Sequence, residues 1–282
     1  MSGRYFLLTS CWGEYSPRER SGHRSASLRS MQSTHPDDPW SSVADDWGRY
    51  WGDFARPVWE PLLRTATIGS GTRVLDVGCG TGELLEHLQE HDARPSGVDP
   101  ASRMIELARA RAVGADVRAG EFERLPFDDG AFDALLAVNA FQFAADQDRA
   151  LAEAGRVLVP GGTLGLAGWA ERARNDLDAI NSALAAADDE EPPEDGPLRV
   201  EGGLAEVLRG AGWELLDGGV VSVPWTARHD TDLVHGILFG ERESTIADLA
   251  PVVVAAAAPY RRPDGTYRLV NAFRWVVARR PG

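Results

Sequence analysis

The stretch Val74-Leu75-Asp76-Val77-Gly78-Cys79-Gly80-Thr81-Gly82-Glu83 decides how this chain is read. A run of β-forming residues passes through an acidic side chain into a loop with glycine at every second position. Glu83-Leu84-Leu85-Glu86-His87-Leu88-Gln89 then continues with helical periodicity. This is the strand, tight turn and helix start of a nucleotide-binding α/β domain. Small residues let the backbone come close to a ligand, and the free amides of the helix N-terminus favour an anionic group.

The spacing separates the ligands such a loop could serve. A dinucleotide fingerprint asks for G-x-G-x-x-G, whereas Gly78, Gly80 and Gly82 give G-x-G-x-G and Glu83 stands where the third dinucleotide glycine would fall. A bulky anion there is a poor neighbour for a pyrophosphate. No Lys-Ser or Lys-Thr comes after it, so the loop is not a P-loop. Asp76, two residues before the first glycine, suits a ligand with a free amino group and no phosphate, and S-adenosylmethionine (SAM) is such a ligand.

Together with four segments further along the chain, Val74 to Leu85 resembles the first motif of class I SAM-dependent methyltransferases of the ubiquinone/menaquinone-methyltransferase-like superfamily. The second element is Ser96-Gly97-Val98-Asp99-Pro100, a short strand ending in an acid, followed by a helix from Ser102 that includes Met104. The third is Gly120-Glu121-Phe122-Glu123-Arg124-Leu125-Pro126-Phe127. The fourth is Phe132 to Ala140, and the fifth, Ala154 to Thr163, holds Pro160-Gly161-Gly162. The resemblance covers residues 40 to 170 well. It implies that Asp76, Gly78, Cys79, Gly80 and Gly82 hold the methionine end, and that Asp99, Pro100 and Met104 take the ribose side. Glu121 and Phe122 stand where the family usually has Asp followed by Ala, beside the adenine, and Asn139 faces the methyl group.

The resemblance implies an α/β fold: a Rossmann-like, seven-stranded, mostly parallel sheet with helices on both faces, an antiparallel last strand and a helical cap insertion. Strands are expected at 73–78, 94–98, 115–119, 131–138 and 162–169, with helices at 82–91, 102–112 and 146–157. Beyond Trp169 a helix is expected over Glu171 to Ala187, then an acidic, proline-broken loop from Asp188 to Pro197. A helix over Leu204 to Ala211, a strand over Trp213 to Trp225, two helices between Asp230 and Ala258 and a strand over Tyr267 to Ala278 complete the chain. The domain division is 1–34 as a disordered leader and 35–282 as the methyltransferase domain. Within the latter, 35–65 are lid helices, 66–170 the SAM-binding core and 171–282 the C-terminal strands and substrate-pocket insertion, the insertion itself at 226–262. The leader is rich in Arg and Ser, faintly like a transit peptide, and Met31 is an alternative initiator.

Composition bounds the function. A net charge of −14 argues against a broad electrostatic footprint for nucleic acid. The two cysteines, Cys11 and Cys79, offer neither a disulfide framework nor a zinc cluster, which suits a reducing cytoplasm. No apolar run reaches about 18 residues, so no membrane span is expected. His87 and His91 lie one helical turn apart but ride a surface helix, and no metal site is expected. A monomer or homodimer acting on a small molecule is the expectation.

On the substrate side the candidates are Trp47 and Tyr50 in the lid, Phe141 and Gln142 after the fourth strand, and Trp169 at the end of the fifth. For a general base the sequence offers only His229, His235 and Glu171, and no acid–base pair settles which, if any, acts. Two rival readings remain beside the methyltransferase: a non-catalytic SAM-binding module and an NAD-dependent oxidoreductase. The aromatic lid and apolar cap suggest a partly hydrophobic, polyketide-, terpenoid- or quinone-like acceptor. The Ala/Arg/Gly-rich composition, similar to high-GC actinobacterial chains, suggests secondary metabolism.

Overall fold

A computed structural model describes residues 39–280. The leader expected over 1–34 lies outside the described residues. The elements in chain order are α1 (Pro39–Tyr50), α2 (Arg56–Thr65), β1 (Arg73–Val77), α3 (Glu83–Glu90), β2 (Arg94–Asp99), α4 (Ser102–Arg111) and β3 (Asp116–Ala119). Next come β4 (Phe132–Val138), α5 (Gln147–Val157), β5 (Leu158–Trp169), α6 (Leu177–Ala187) and α7 (Gly203–Gly210). The chain closes with β6 (Glu214–Ala227), α8 (Asp230–Ile237), α9 (Glu243–Ala257) and β7 (Tyr267–Arg279).

The seven strands form one sheet in the order β3-β2-β1-β4-β5-β7-β6. Strands β1 to β5 pair in parallel, and β7 runs antiparallel to both β5 and β6. The central strands are apolar on both faces, as a sheet covered by helices on each side requires. Val74 and Leu136 enter the core beneath α2, with Trp59 and Leu62, while Leu75 and Leu135 enter the opposite core, with Leu151 and Leu158. Chain order reverses between β1 and β4. In such sheets the crevice for a ligand opens at that point, beyond the carboxyl ends of the strands.

Two stretches differ from the sequence expectation. The Pro160-Gly161-Gly162 turn does not separate a helix end from a new strand: β5 already begins at Leu158. Its pairing with β4 jumps from Phe132–Leu158 to Ala134–Thr163, so the glycines form an irregularity inside the strand. The helix expected from Glu171 starts only at Leu177. Asn175 turns its amide back to the carbonyls of Ala170 and Glu171 (3.2 and 2.7 Å) and accepts from the Ala272 N–H. The Asp176 carboxylate accepts from the Val270 N–H, so both side chains tie this segment to β7 instead of continuing a helix. The two helices expected between 230 and 258 are present as α8 and α9.

Helix α1 lies across the carboxyl end of the sheet. Gly48 and Gly52 let its backbone rest on the glycine loop: a Cβ at Gly48 would lie 3.3 Å from Thr81, and one at Gly52 would overlap the Glu83 carboxylate. Outward, Arg103 of α4 pairs with Asp45 through two hydrogen bonds (3.0 and 2.8 Å), and its backbone N–H donates to the Ser41 hydroxyl. The C-terminal insertion holds the other end of α1 and its continuation, since the Trp51 indole donates to the Gly236 carbonyl and the Trp225 indole to the Tyr50 carbonyl, both at 2.7 Å. No described helix is long and apolar enough to cross a membrane.

Candidate active site

The glycine loop takes its shape from backbone that other residues resist. Gly78, Gly80 and Gly82 have φ of +74°, +52° and +91°. Gly82 is doubly constrained, because a Cβ there would also sit 2.8 Å from the Ala108 Cα of α4. At Gly78 the space is filled by Ala140, whose Cβ lies 2.5 Å from where a side chain would begin. The loop therefore presses between β4 and α4 with its amides turned toward the cleft. One of them, Gly80 N–H, donates to the Asp99 carboxylate at 3.0 Å, and the second Asp99 oxygen accepts from Ala101 N–H at 2.9 Å. Asp99 is thus fixed at the end of β2, where it is 7% exposed.

Glu83 explains in structural terms why the loop is not a phosphate site. Its carboxylate accepts from the Thr81 hydroxyl (2.6 and 2.7 Å) and pairs with Arg111 at 2.9 Å, in the first turn of α3. The positive end of α3 already holds an anion.

Around Asp99 a cleft of about 320 Å³ opens, in the size range of small-molecule pockets. It brings together Gly78, Gly80, Asp99, Pro100, Met104, Glu121, Phe122 and Asn139 of the cofactor-side candidates and Trp47 of the substrate-side ones. Asn139 sits in the left-handed region (φ +55°), a conformation that Asn tolerates better than most residues. Its N–H donates to the Ala167 carbonyl at 2.7 Å, and its side-chain oxygen accepts from Gln142 at 2.8 Å.

Other candidates lie elsewhere. Asp76 is 3% exposed and stands behind the loop rather than on the cleft wall. Burial, then the neighbouring Asp99 and Glu83 carboxylates, push its pKa up to about 8. The Cys79 side chain turns into the core with Leu85, Ile105 and Ala108, and burial raises its thiol well above the usual range. Gln142 supports Asn139 from behind. Phe141, 2% exposed, packs edge-on against Phe122 in the core, so it backs the cleft instead of lining it. Trp169 stacks on Phe54 and meets Phe273 edge-on, within a cluster that also holds Trp51 and Trp225. Tyr50, half-buried, packs beside Gly236 at the insertion.

None of the three base candidates lines the cleft. His229 caps α8, its ring nitrogen accepting from the Asp232 N–H at 3.2 Å. His235 sits half-buried on the same helix. Burial pushes the Glu171 carboxyl up, but backbone hydrogen bonding and the Arg274 guanidinium at 2.5 Å outweigh it and hold the group below the usual carboxylate range. That makes Glu171 a weaker base than an ordinary glutamate. His87 is engaged by Glu90 and Trp59, and no group of three metal-ligating side chains occurs among the described residues.

Trp40 and Glu123 also belong to the cleft, although neither stood out in the sequence. Trp40 meets Trp47 (5.5 Å) and Phe143 (5.7 Å) edge-on and so bridges α1 to the segment after β4. Its position seven residues before Trp47 places both on one helical face, which is a readable signal. Glu123 accepts from the N–H groups of Ala145 and Asp146 and brings that segment to the cleft; a side chain's long-range partner of this kind leaves no local pattern.

Residues 75–166 match the family model described as "Methyltransferase domain". An uncharacterized methyltransferase of Mycobacterium tuberculosis is 42% identical over 94 residues, covering 33% of this chain and 38% of that one. A demethylmenaquinone methyltransferase of Thermus thermophilus is 45% identical over 98 residues, 33% of this chain and 44% of that protein. The chain thus spans less than half the length of these curated relatives. In fold it is similar to the crystal structure of a putative methyltransferase of Bacillus halodurans, with a TM-score of 0.55 at 18% identity, over 79% of this chain and 98% of that one. Glycine loop, strand-end acid and strand order coincide in one segment with this match: over residues 75–166 the chain carries a class I methyltransferase domain, whose cofactor is S-adenosylmethionine.

Proposed function

We propose that the protein transfers the methyl group of SAM to a small organic molecule. The observation that carries this reading is the cleft at the strand-order reversal, where a phosphate-averse glycine loop and the fixed Asp99 carboxylate meet. Loop amides, room over Gly80 and a carboxylate at the end of β2 fit an amino-acid-linked nucleoside. In this reading Gly78 and Gly80 approach the methionine portion, with Asp76 behind them as counter-charge for the ammonium. Asp99 accepts from the ribose hydroxyls, Glu121 and Phe122 border the adenine, and Asn139 stands nearest the transferred methyl.

The bound cofactor supplies an already activated methyl group. What the chain adds is orientation and exclusion of water, by Trp40, Trp47 and Phe143 across the cleft. Placement of this kind is worth about 7–11 kcal/mol for well-oriented pairs. Among the described lining residues there is no histidine, lysine or arginine. That favours an acceptor reaching the cleft already ionised, neutral as an amine, or as an activated carbon, since a base is needed only where a proton must leave in the same step.

The aromatic walls and the −14 charge support a flat, partly apolar acceptor, quinone-, polyketide- or terpenoid-like, over a polyanion. The Thermus relative, named for a demethylated quinone, is in keeping with that choice. A role in secondary metabolism and a cytoplasmic location are part of the same proposal. Titration with SAM and with NAD separates methyltransferase from oxidoreductase: binding of SAM alone is expected. Label from methyl-tritiated SAM should then appear in the small-molecule fraction of a cell extract. Label confined to RNA or protein would overturn the acceptor class, and SAM binding without transfer to any fraction would favour a binding module.

A further inference from the structure

We propose that the cleft discriminates the charge on the cofactor's sulfur, holding SAM at least tenfold more tightly than the demethylated product, S-adenosylhomocysteine. The proposal rests on the methyltransferase reading above. In the transfer the methyl carbon forms a bond to the acceptor's lone pair, and the C–S bonding pair returns to sulfur. A sulfonium cation thereby becomes a neutral thioether. The product differs from the substrate by one methyl group and one positive charge, so a site that senses charge releases it.

The wall of the cleft is one-signed. Asp99, Glu121 and Glu123 line it, and no cationic side chain does so among the described residues. The arginines on the adjoining helix are committed outward. Arg103 is paired with Asp45 and Glu106, and Arg111 with Glu83 and Glu86. Backbone N–H groups hold Asp99 and Glu123 in place, so neither carboxylate has to be drawn in by the ligand. A second feature points the same way. The Trp47 indole nitrogen stands 3.6 Å from the position a Cβ on Gly80 would take, over the part of the loop assigned to the methionine end. Trp40 and Phe143 complete an aromatic wall, and aromatic faces attract cations while giving a neutral sulfur only contact. Charges in a walled cleft are also screened less by salt than charges on the open surface.

The test is calorimetric titration of the full chain at about 50 and about 500 mM NaCl, a range over which screening shortens markedly, with three probes: SAM, S-adenosylhomocysteine, and the analogue bearing a protonated amine in place of the sulfonium. SAM and the amine analogue are expected to bind at least tenfold more tightly than the thioether at low salt and to weaken several-fold at high salt. The thioether's affinity should change by less than twofold. Glu121→Gln should reduce SAM affinity about threefold or more and leave the thioether's unchanged; Trp47→Leu should narrow the ratio where Trp47→Phe retains most of it. A thioether that binds as tightly as SAM, with a parallel salt dependence, overturns the proposal. Failure of all three probes to bind would instead overturn the cofactor assignment, and the proposal with it.

Discussion

Replacing Asp76 by Asn should stabilise the unliganded protein while weakening its hold on SAM. Asp76 sits near the end of β1, 3% exposed, beside two other carboxylates, and its pKa rises from 3.8 to about 8. Burial is the larger cause and the Asp99 and Glu83 charges add to it. In the unfolded chain the group ionises near its ordinary value, whereas the folded protein keeps the proton until pH approaches 8. The folded state therefore binds more protons throughout that window, and stability falls as pH rises through it. At about 1.36 kcal/mol per pH unit the whole window is worth at most about 6 kcal/mol. Relaxation and water penetration reduce such figures, so about 3 kcal/mol between about pH 5 and pH 9 is the expected size. Asn has the same shape and no titration. Urea unfolding of both proteins at about pH 5, 7 and 9 should show the stability of Asp76→Asn minus that of the parent growing by that amount with pH. Parallel profiles would refute the reasoning, because they would mean that Asp76 is ionised and satisfied in the folded state. Weaker SAM binding by the stabilised variant would mark Asp76 as a position kept for function at a cost in stability.

Gly82→Ala combines a φ of +91° with a Cβ 2.8 Å from the Ala108 Cα. It should cost about 2 kcal/mol or more in chemical denaturation and abolish SAM binding in calorimetry. Asp99→Ala removes the acceptor of two backbone N–H groups and the proposed ribose contact. A charged hydrogen bond is worth about 1.5–3 kcal/mol, so the SAM dissociation constant should rise by about 10- to 150-fold. His229→Ala should lower stability by about 1 kcal/mol through loss of the α8 cap and leave SAM affinity unchanged; a large effect on affinity would return His229 to the site.

The fold could be read from the sequence because its signals are local. Alternate glycines after β1, the acid ending β2 and the apolar runs of β4 and β5 each depend on backbone preferences within a few residues, and together they imply the sheet. The cofactor-side wall was legible for the same reason: Gly78, Gly80, Asp99, Pro100, Met104, Glu121 and Asn139 all stand at or shortly after the ends of strands. The substrate side was harder. Phe141 and Phe143 are two residues apart with the same side chain, yet the short 3₁₀ turn there buries the first and sends the second to meet Trp40 across the cleft. Trp47 and Tyr50 share α1, but only Trp47 faces the loop.

By itself, then, the sequence determined the order and kind of the elements, the loop that rejects phosphate and the class of ligand at the strand ends, because these rest on short-range sterics and spacing. Tertiary structure alone decided that Asp76 stands behind the loop and that Glu83 is spent on Thr81 and Arg111. It also decided that Glu171 is held by Arg274 from a strand 103 positions away. Burial and charge pairing depend on which distant residues the fold brings together, and no local pattern carries that information.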